Sequence, residues 1–311
     1  ARFVYIEHQC TLSVLTMEFV LGGTAAVGAV CFTNPLEVVK TRFQLQGELK
    51  ARGQYAVHYS NFFHAMYVIA KNDGILALQK GLAPAAVHQI FLNGTRLGGY
   101  QIAEDRKWFL NEDGTVSLWK SSLIGAAAGS LGGFLGSPLY LVKVHLQSKS
   151  MSSIAVGHQH NHESTPQALK NIYKQFGIPG LWRGASGAVV RIAVGSSVQL
   201  SSFSISLYVS KILGHIRSWC NWRDRHCSRY GSFDLISTRL YNQGMFDVYV
   251  KGLLYKNYTE CVQNWAKEGL YGMYKGLMPC YLRIGPHSCL SLLFWDVLKS
   301  FEKTFFAESQ S

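Results

Sequence analysis

The sequence predicts an all-α membrane protein built from three pseudo-repeats, each of two long helices and one short helix. Three observations predict it. First, a proline-anchored charge cluster recurs: Pro35-Leu-Glu37-Val-Val-Lys40-Thr-Arg42, then Pro138-Leu-Tyr140-Leu-Val-Lys143-Val-His145, then an altered copy, Ser232-Phe-Asp234-Leu-Ile-Ser237-Thr-Arg239. Second, a glycine mark follows each cluster: Asp73-Gly74 before Gln79-Lys80-Gly81, Phe176-Gly177 before Trp182-Arg183-Gly184, and Glu268-Gly269 before Tyr274-Lys275-Gly276. The clusters start 103 and then 94 residues apart, and the glycine pairs 103 and 92. Two marks keeping step over three copies set the architecture before any single residue does. Third, only 15% of the 311 residues are charged while 48% are hydrophobic and 30 are glycine; soluble domains carry about a quarter charged residues. Mean hydropathy is only +0.06, and no run of about 18 apolar residues occurs, which argues against helices hydrophobic all round. Helices apolar on one side and small or polar on the other fit, because they can wall a water-filled cavity inside a membrane.

Residues 1–16 differ from the repeat, and Met17 falls just before its first helix, so we read 1–16 as an upstream extension and 17–110 as repeat one. Glu18–Gln46 is predicted as a long helix rich in small residues (Gly22, Gly23, Ala25, Ala26, Gly28, Ala29), whose spacing lets backbones approach closely in lipid. Pro35 removes one backbone bond and is expected to kink it. A polar stretch follows, then a short amphipathic helix over Ser60–Lys71 with Phe62, Phe63, Met66, Ile69 and Ala70 on its apolar side. Gly74 ends it, and a second long helix runs over Leu82–Trp108. Repeat two, 117–213, follows the same plan: a glycine-lined first helix kinked at Pro138, a short helix over Leu169–Gln175, and a long one over Ala185–Leu213. Repeat three, 214–304, contributes a short helix over Asn257–Lys267 and a last long one over Leu277–Glu302, leaving 305–311 as a tail.

The segment 214–232 breaks this plan. It holds Arg217, Arg223, Arg225, Arg229, Asp224, His215 and His226 and few small residues, which is costly for a helix in lipid. We read it as a reading-frame slip. With permitted codons, reading residues 223–232 one base forward yields Gly-Thr-Gly-Ile-Ala-Ala-Val-Met-Ala-Pro, restoring a small-residue helix and the missing proline. An unusual loop and a transport-defective product are the alternatives.

Net charge is +12 with a pI near 9.4. Basic residues are spread through all three repeats with no recognition motif, which points to anionic solutes and an anionic phospholipid surface such as cardiolipin and away from nucleic acid. The seven cysteines form no CxxC pair and read as reduced thiols. No Walker loop, GxSxG, HExxH or paired-carboxylate signature is present, so no enzyme and no cofactor is predicted. A soluble helical scaffold is the rival from another class.

Glu37 and Lys40 stand three apart and share a helix face beside Pro35. Unpaired charges at membrane depth cost several kcal/mol, so acids of one repeat should meet bases of another in a ring closing one end of the cavity; a solvated helix end is the alternative. The proline-acid-base cluster with its glycine mark, in three copies, resembles the mitochondrial carrier family over nearly the whole chain from Met17. Arg239-Leu-Tyr-Asn-Gln243, Arg283-Ile-Gly-Pro-His287 and Ser137-Pro-Leu-Tyr140 are most similar to the branch holding members 34 and 35 of solute carrier family 25 and the fungal oxaloacetate carrier. The resemblance implies a monomeric six-helix barrel of tilted helices around a central cavity in the mitochondrial inner membrane. It would exchange solutes by alternating access, with the short helices on the matrix side. It also implies a matrix gate of Glu37, Lys40, Tyr140, Lys143, Asp234 and Ser237. Tyr140 stands where the second acid belongs and Ser237 where the third base belongs. On the family's pairing, Lys143 with Asp234 is the one ion pair left, with Lys40 facing Tyr140 and Glu37 facing Ser237. The outer gate survives at Trp295-Asp296-Val-Leu-Lys299, while Tyr100-Gln101 and Phe203-Ser204 lack the acid.

The family's substrate contacts fall on His88, Arg191-Ile192 and Arg283, with Arg96 as a further cavity candidate. Arg191 and Arg283 are guanidinium forks among small and apolar residues, suited to the carboxylates of oxaloacetate, other dicarboxylates, keto acids or to sulfate. A structural ion pair is the alternative for Arg283, and a neutral packing histidine for His88. A titrating His88 would allow proton coupling, and a proton leak is a second transport reading. His158-Gln-His160-Asn-His162 reads as a solvated loop, and no metal site is assigned.

Overall fold

A computed structural model of the chain describes residues 2–48, 57–108, 117–195, 231, 233–244, 254–267 and 277–308. In chain order the helices are α1 (Arg2–Leu45), α2 (Phe62–Asn72), α3 (Leu82–Asp105), α4 (Leu118–Leu135), α5 (Ser137–Ser148) and α6 (Thr165–Leu181). They continue with α7 (Ala185–Gly195), α8 (233–242), α9 (Tyr258–Lys267) and α10 (Leu277–Glu308). No strand occurs among the described residues. The far part of the helix expected over Ala185–Leu213, the arginine-rich segment apart from Gly231, and the third glycine mark lie outside the described residues.

Local chemistry sets the boundaries. At α2, the Asn61 side chain caps the His64 N–H at 2.8 Å, and Phe62, Ala65 and Ile69 form the buried face. Gly74 and Gly177 take φ of 87° and 65°, and Gly81 and Gly184 take 74° and 80°. These left-handed turns favour glycine, which explains why both glycines of the mark recur.

One expectation is corrected. The first helix begins at Arg2 rather than near Glu18, since residues 2–16 contain no proline or glycine to stop it. It also runs through Pro35 as one continuous helix, whereas the second repeat divides at Gly136, with 63° between its halves. There Pro138 sits in the first turn of α5, where its fixed φ suits the start of a helix.

α1 packs on α3 and on α10, and α3 packs on α4 and α5. Phe32 stacks on Phe294 with centroids 6.0 Å apart, joining the first helix to the last. Each repeat has its own apolar core where its first long helix meets its short one: Val39, Leu45, Phe62 and Ile69; Leu141, Val144, Ala168 and Ile172; Ile236, Leu240 and Cys261. The molecule is otherwise inverted relative to a soluble protein. Arg42, Arg239, Gln44, Asn34 and Asp234 are fully buried while Trp119 is 73% exposed, and Phe91, Leu131 and Leu293 also face outward. Apolar side chains outside and paired charges inside suit lipid as the surrounding solvent. By length and hydropathy alone, among the described residues, 75–96 and the bent pair 119–135 with 137–148 qualify as spans.

Candidate functional site

The charged residues of the cluster copies converge where α1, α5 and α8 meet. Lys40 Nζ lies 2.5 Å from Asp234 Oδ2, and Lys143 Nζ pairs with Glu37 Oε2. This corrects the expected pairing of Lys143 with Asp234. The expected pairing would strand Lys40 opposite Tyr140 and Glu37 opposite Ser237. The observed one gives both lysines a carboxylate, and a buried charge without a partner costs several kcal/mol. Two ion pairs therefore close the ring where one was expected. Gln44 Nε2 donates to Asp234 Oδ2 at 3.0 Å, and Thr238 donates to Gln44 Oε1 at 3.0 Å, bracing the first pair. Ser237 is buried, with its hydroxyl lacking a hydrogen-bond partner.

Tyr140 does different work from the acid whose place it takes. Lys143 Nζ lies 5.3 Å and the Arg191 guanidinium 5.0 Å from its ring centroid. Its ring also meets Tyr241 at 4.8 Å and His88 at 5.1 Å. A π face thus serves two cations where a carboxylate is absent.

Arg191 on α7 and Arg283 on α10 aim at the same place. Arg283 Nη1 donates to Glu37 Oε1 at 2.8 Å. Arg191 Nη1 lies 3.8 Å from Asp234 Oδ1. Both arginines thus adjoin the ion-pair ring, each beside one of its two carboxylates. His88 is buried and donates from Nδ1 to the Gly136 carbonyl at 3.1 Å, the packing arrangement weighed as its alternative. Gly136 is needed there, since a Cβ would lie 2.6 Å from that nitrogen. Ile192 is buried against Gly133. Arg96 stands apart from this group and donates to Asn93 Oδ1 at 3.3 Å. Of the expected outer gate, Asp296 is exposed on α10, and the side chains of Gln101 and Lys299 lie outside the described residues.

Several residues carry contacts that the sequence did not signal. His287, one turn beyond Arg283, bonds Thr33 through Nδ1 at 3.2 Å and Gln89 through Nε2 at 3.3 Å, linking α10 to α1 and α3. Thr33 donates its proton to the Ala29 carbonyl, so His287 carries its own proton on Nδ1 and accepts from Gln89 at Nε2. Arg42 pairs with Asp73 at 2.6 Å and donates to the carbonyls of Gln147 at 3.1 Å and Lys149 at 2.7 Å.

The histidine tract differs from a freely solvated loop. His160 and His162 are partly buried, and the His160 ring stacks on His145 of α5 with centroids 3.4 Å apart. Burial pushes His160 down to about 4, and lowers His158 and His162 as well. These rings are therefore neutral at physiological pH.

An inverted helical body, with paired charges inside and a ring of ion pairs beside two arginines, defines a membrane transport protein. The comparisons with known proteins give its kind. The mitochondrial carrier protein family model matches three times, over residues 13–109, 114–209 and 231–305. The chain belongs to the mitochondrial carrier family and is a multi-pass solute carrier of the mitochondrial inner membrane, not an enzyme or a soluble scaffold. It is 47% identical to mouse solute carrier family 25 member 35 over 93% of this chain and 99% of the relative. It is 36% identical to the mitochondrial citrate transporter E of Aspergillus niger over 96% of this chain and 98% of the relative. It is also 36% identical to the mitochondrial oxaloacetate transport protein of Schizosaccharomyces pombe, over 89% and 88% respectively.

Proposed function

We propose that this carrier exchanges small carboxylate anions, of the oxaloacetate, dicarboxylate or keto-acid type, by alternating access. The observation that carries the reading is the position of Arg283 and Arg191 against Glu37 and Asp234. A substrate with two carboxylates offers each arginine the partner it now takes from the gate. Binding then draws the guanidinium groups away from Glu37 and Asp234, releases the ties they make between α10 and α1 and between α7 and α8, and couples occupancy to opening on the matrix side. An interaction that trades one carboxylate for another leaves no charge unpaired, which keeps the barrier low. The fungal relatives named for citrate and oxaloacetate support this substrate class. Ile192 and the Tyr140 ring supply apolar contact beside the two forks, His88 fixes the helix break through Gly136, and Arg96 lies further along the cavity. Asp296 and Lys299, with Gln101, close the opposite side in this reading. The carrier acts as a monomer in contact with an anionic phospholipid such as cardiolipin. Residues 214–232 reflect a reading-frame slip, which sequencing the transcript across that stretch tests.

The functional test is reconstitution into liposomes with a panel of labelled oxaloacetate, citrate, malate, 2-oxoacids and sulfate. Uptake of a carboxylate that is abolished in Arg191→Ala and Arg283→Ala supports the reading. Unchanged uptake in both variants overturns the site, and proton conductance without any exchanged metabolite overturns the function.

A further inference from the structure

We propose that His145, His160 and His162 form a binding site for a divalent transition-metal ion of the zinc, copper or nickel kind. The site joins α5 to the segment that follows it. One ring nitrogen of each of the three residues lies within 4.8 Å of one on each of the others. The three rings are close to parallel, with interplanar angles of 10° to 14°.

The hydrogen bonds assign the lone pairs. His145 Nε2 bonds the carbonyl of Tyr241 at 2.9 Å, and His160 Nε2 bonds the carbonyl of Asn242 at 2.9 Å. A carbonyl only accepts, so both rings carry their proton on Nε2 and present a bare Nδ1. This is the arrangement of metal-ligating histidines, whose outer N–H is held by a backbone carbonyl that fixes tautomer and ring orientation. His145 Nδ1 and His162 Nδ1 are buried and have no hydrogen-bond partner. Two buried nitrogens without partners in one cluster are costly, and a shared cation satisfies both.

Coordination requires the near-parallel rings to turn out of their stack, because an imidazole binds a metal along the in-plane lone pair of its nitrogen. Zinc–nitrogen bonds of about 2.0–2.1 Å in a tetrahedron place ligand nitrogens about 3.3 Å apart. His160 and His162 lie on a non-helical segment that can close the remaining gap, with water as the fourth ligand. The surrounding charge narrows the choice of ion. Lys149 Nζ bonds the His162 carbonyl at 3.1 Å, and Arg183 also faces the cluster. Two nearby cations oppose ions held by charge alone, such as magnesium and calcium, and favour those that gain from imidazole coordination.

The experiment uses the full-length carrier purified in detergent and freed of metal, titrated with zinc chloride alone. Calorimetry and thermal melting read the result. One equivalent of zinc should bind and raise the melting temperature, magnesium chloride should do neither, and His160→Ala and His162→Ala should each weaken binding roughly tenfold or more. His158→Ala should bind as the parent does. Both ligand variants lie on the non-helical segment and leave the buried His145 in place, so melting in metal-free buffer at the parent temperature establishes that they are folded. Zinc binding unchanged in both histidine variants would place the ligands elsewhere, on cysteines for example, and overturn the proposal. So would an absence of zinc binding to the parent chain at submillimolar concentration.

Discussion

Gln79 donates from its side-chain amide to the carbonyl of Cys31 at 3.1 Å, and Cys31 is the residue whose helical donor Pro35 lacks. Repeat two has the counterpart: Trp182 Nε1 donates to the carbonyl of Phe134, four residues before Pro138, at 3.0 Å. The second mark of each of these repeats therefore supplies the hydrogen bond that the first mark removes, which is why the two keep step. Proline-interrupted helices in lipid need such a substitute donor. Trp182→Phe keeps a ring near Phe134 but loses the donor, and Gln79→Leu does the same for Cys31. Each should lower stability by about 0.5–1.5 kcal/mol, read as a fall in melting temperature in detergent, while Gln79→Trp should retain most of it.

The pairing around the ring is testable by double-mutant cycles. Lys40→Gln with Asp234→Asn, and Lys143→Gln with Glu37→Gln, should each show coupling within roughly 0.5–3 kcal/mol, as expected for groups in contact. Lys143→Gln with Asp234→Asn should be close to additive. Strong coupling in that third cycle would restore the pairing the family pattern suggests.

Arg42 and Asp73 are paired inside the protein, and Arg42 also holds two carbonyls at the end of α5. Asp73→Asn leaves a buried guanidinium without its counter-ion, so a loss of roughly 3–5 kcal/mol is expected. Replacing both partners, Arg42→Met with Asp73→Leu, should recover part of that loss on melting. Equal losses in the single and double variants would show that the packing of the Arg42 stem matters more than the charge.

The fold and the convergence of the cluster charges were legible because spacing encodes them. Pro35, Glu37 and Lys40 recur as Pro138, Tyr140 and Lys143, and a one-dimensional pattern suffices to find them. The partners were not legible, because which carboxylate a lysine meets depends on how three helices pack. Replacing an acid by Tyr140 and a base by Ser237 made the alternative pairing the one that leaves no lysine stranded. His287 stands in a visible motif, yet its bonds to Thr33 and Gln89 join helices far apart in sequence and leave no local trace. His145 occupies the place of Arg42 in the first copy, so its role beside His160 is visible only once the loop has folded back on α5.

Glu37 holds two cations at once, Lys143 through one oxygen and Arg283 through the other. The two roles can be separated. If substrate must displace Glu37 from Arg283, Glu37→Gln removes the competing charge and leaves the guanidinium readier for a substrate carboxylate. The half-saturation concentration in liposome uptake should then fall several-fold. The same change deprives Lys143 of its partner, so the closed ring weakens and the melting temperature should drop, by roughly 3–5 kcal/mol of stability if the lysine stays charged. Arg283→Lys is the complementary variant: it keeps the charge and the contact with Glu37 but loses the planar fork. Its half-saturation should rise while its melting temperature changes little. A Glu37→Gln carrier with weakened stability and unchanged half-saturation would mean that Glu37 serves the ring alone and that substrate does not compete for Arg283.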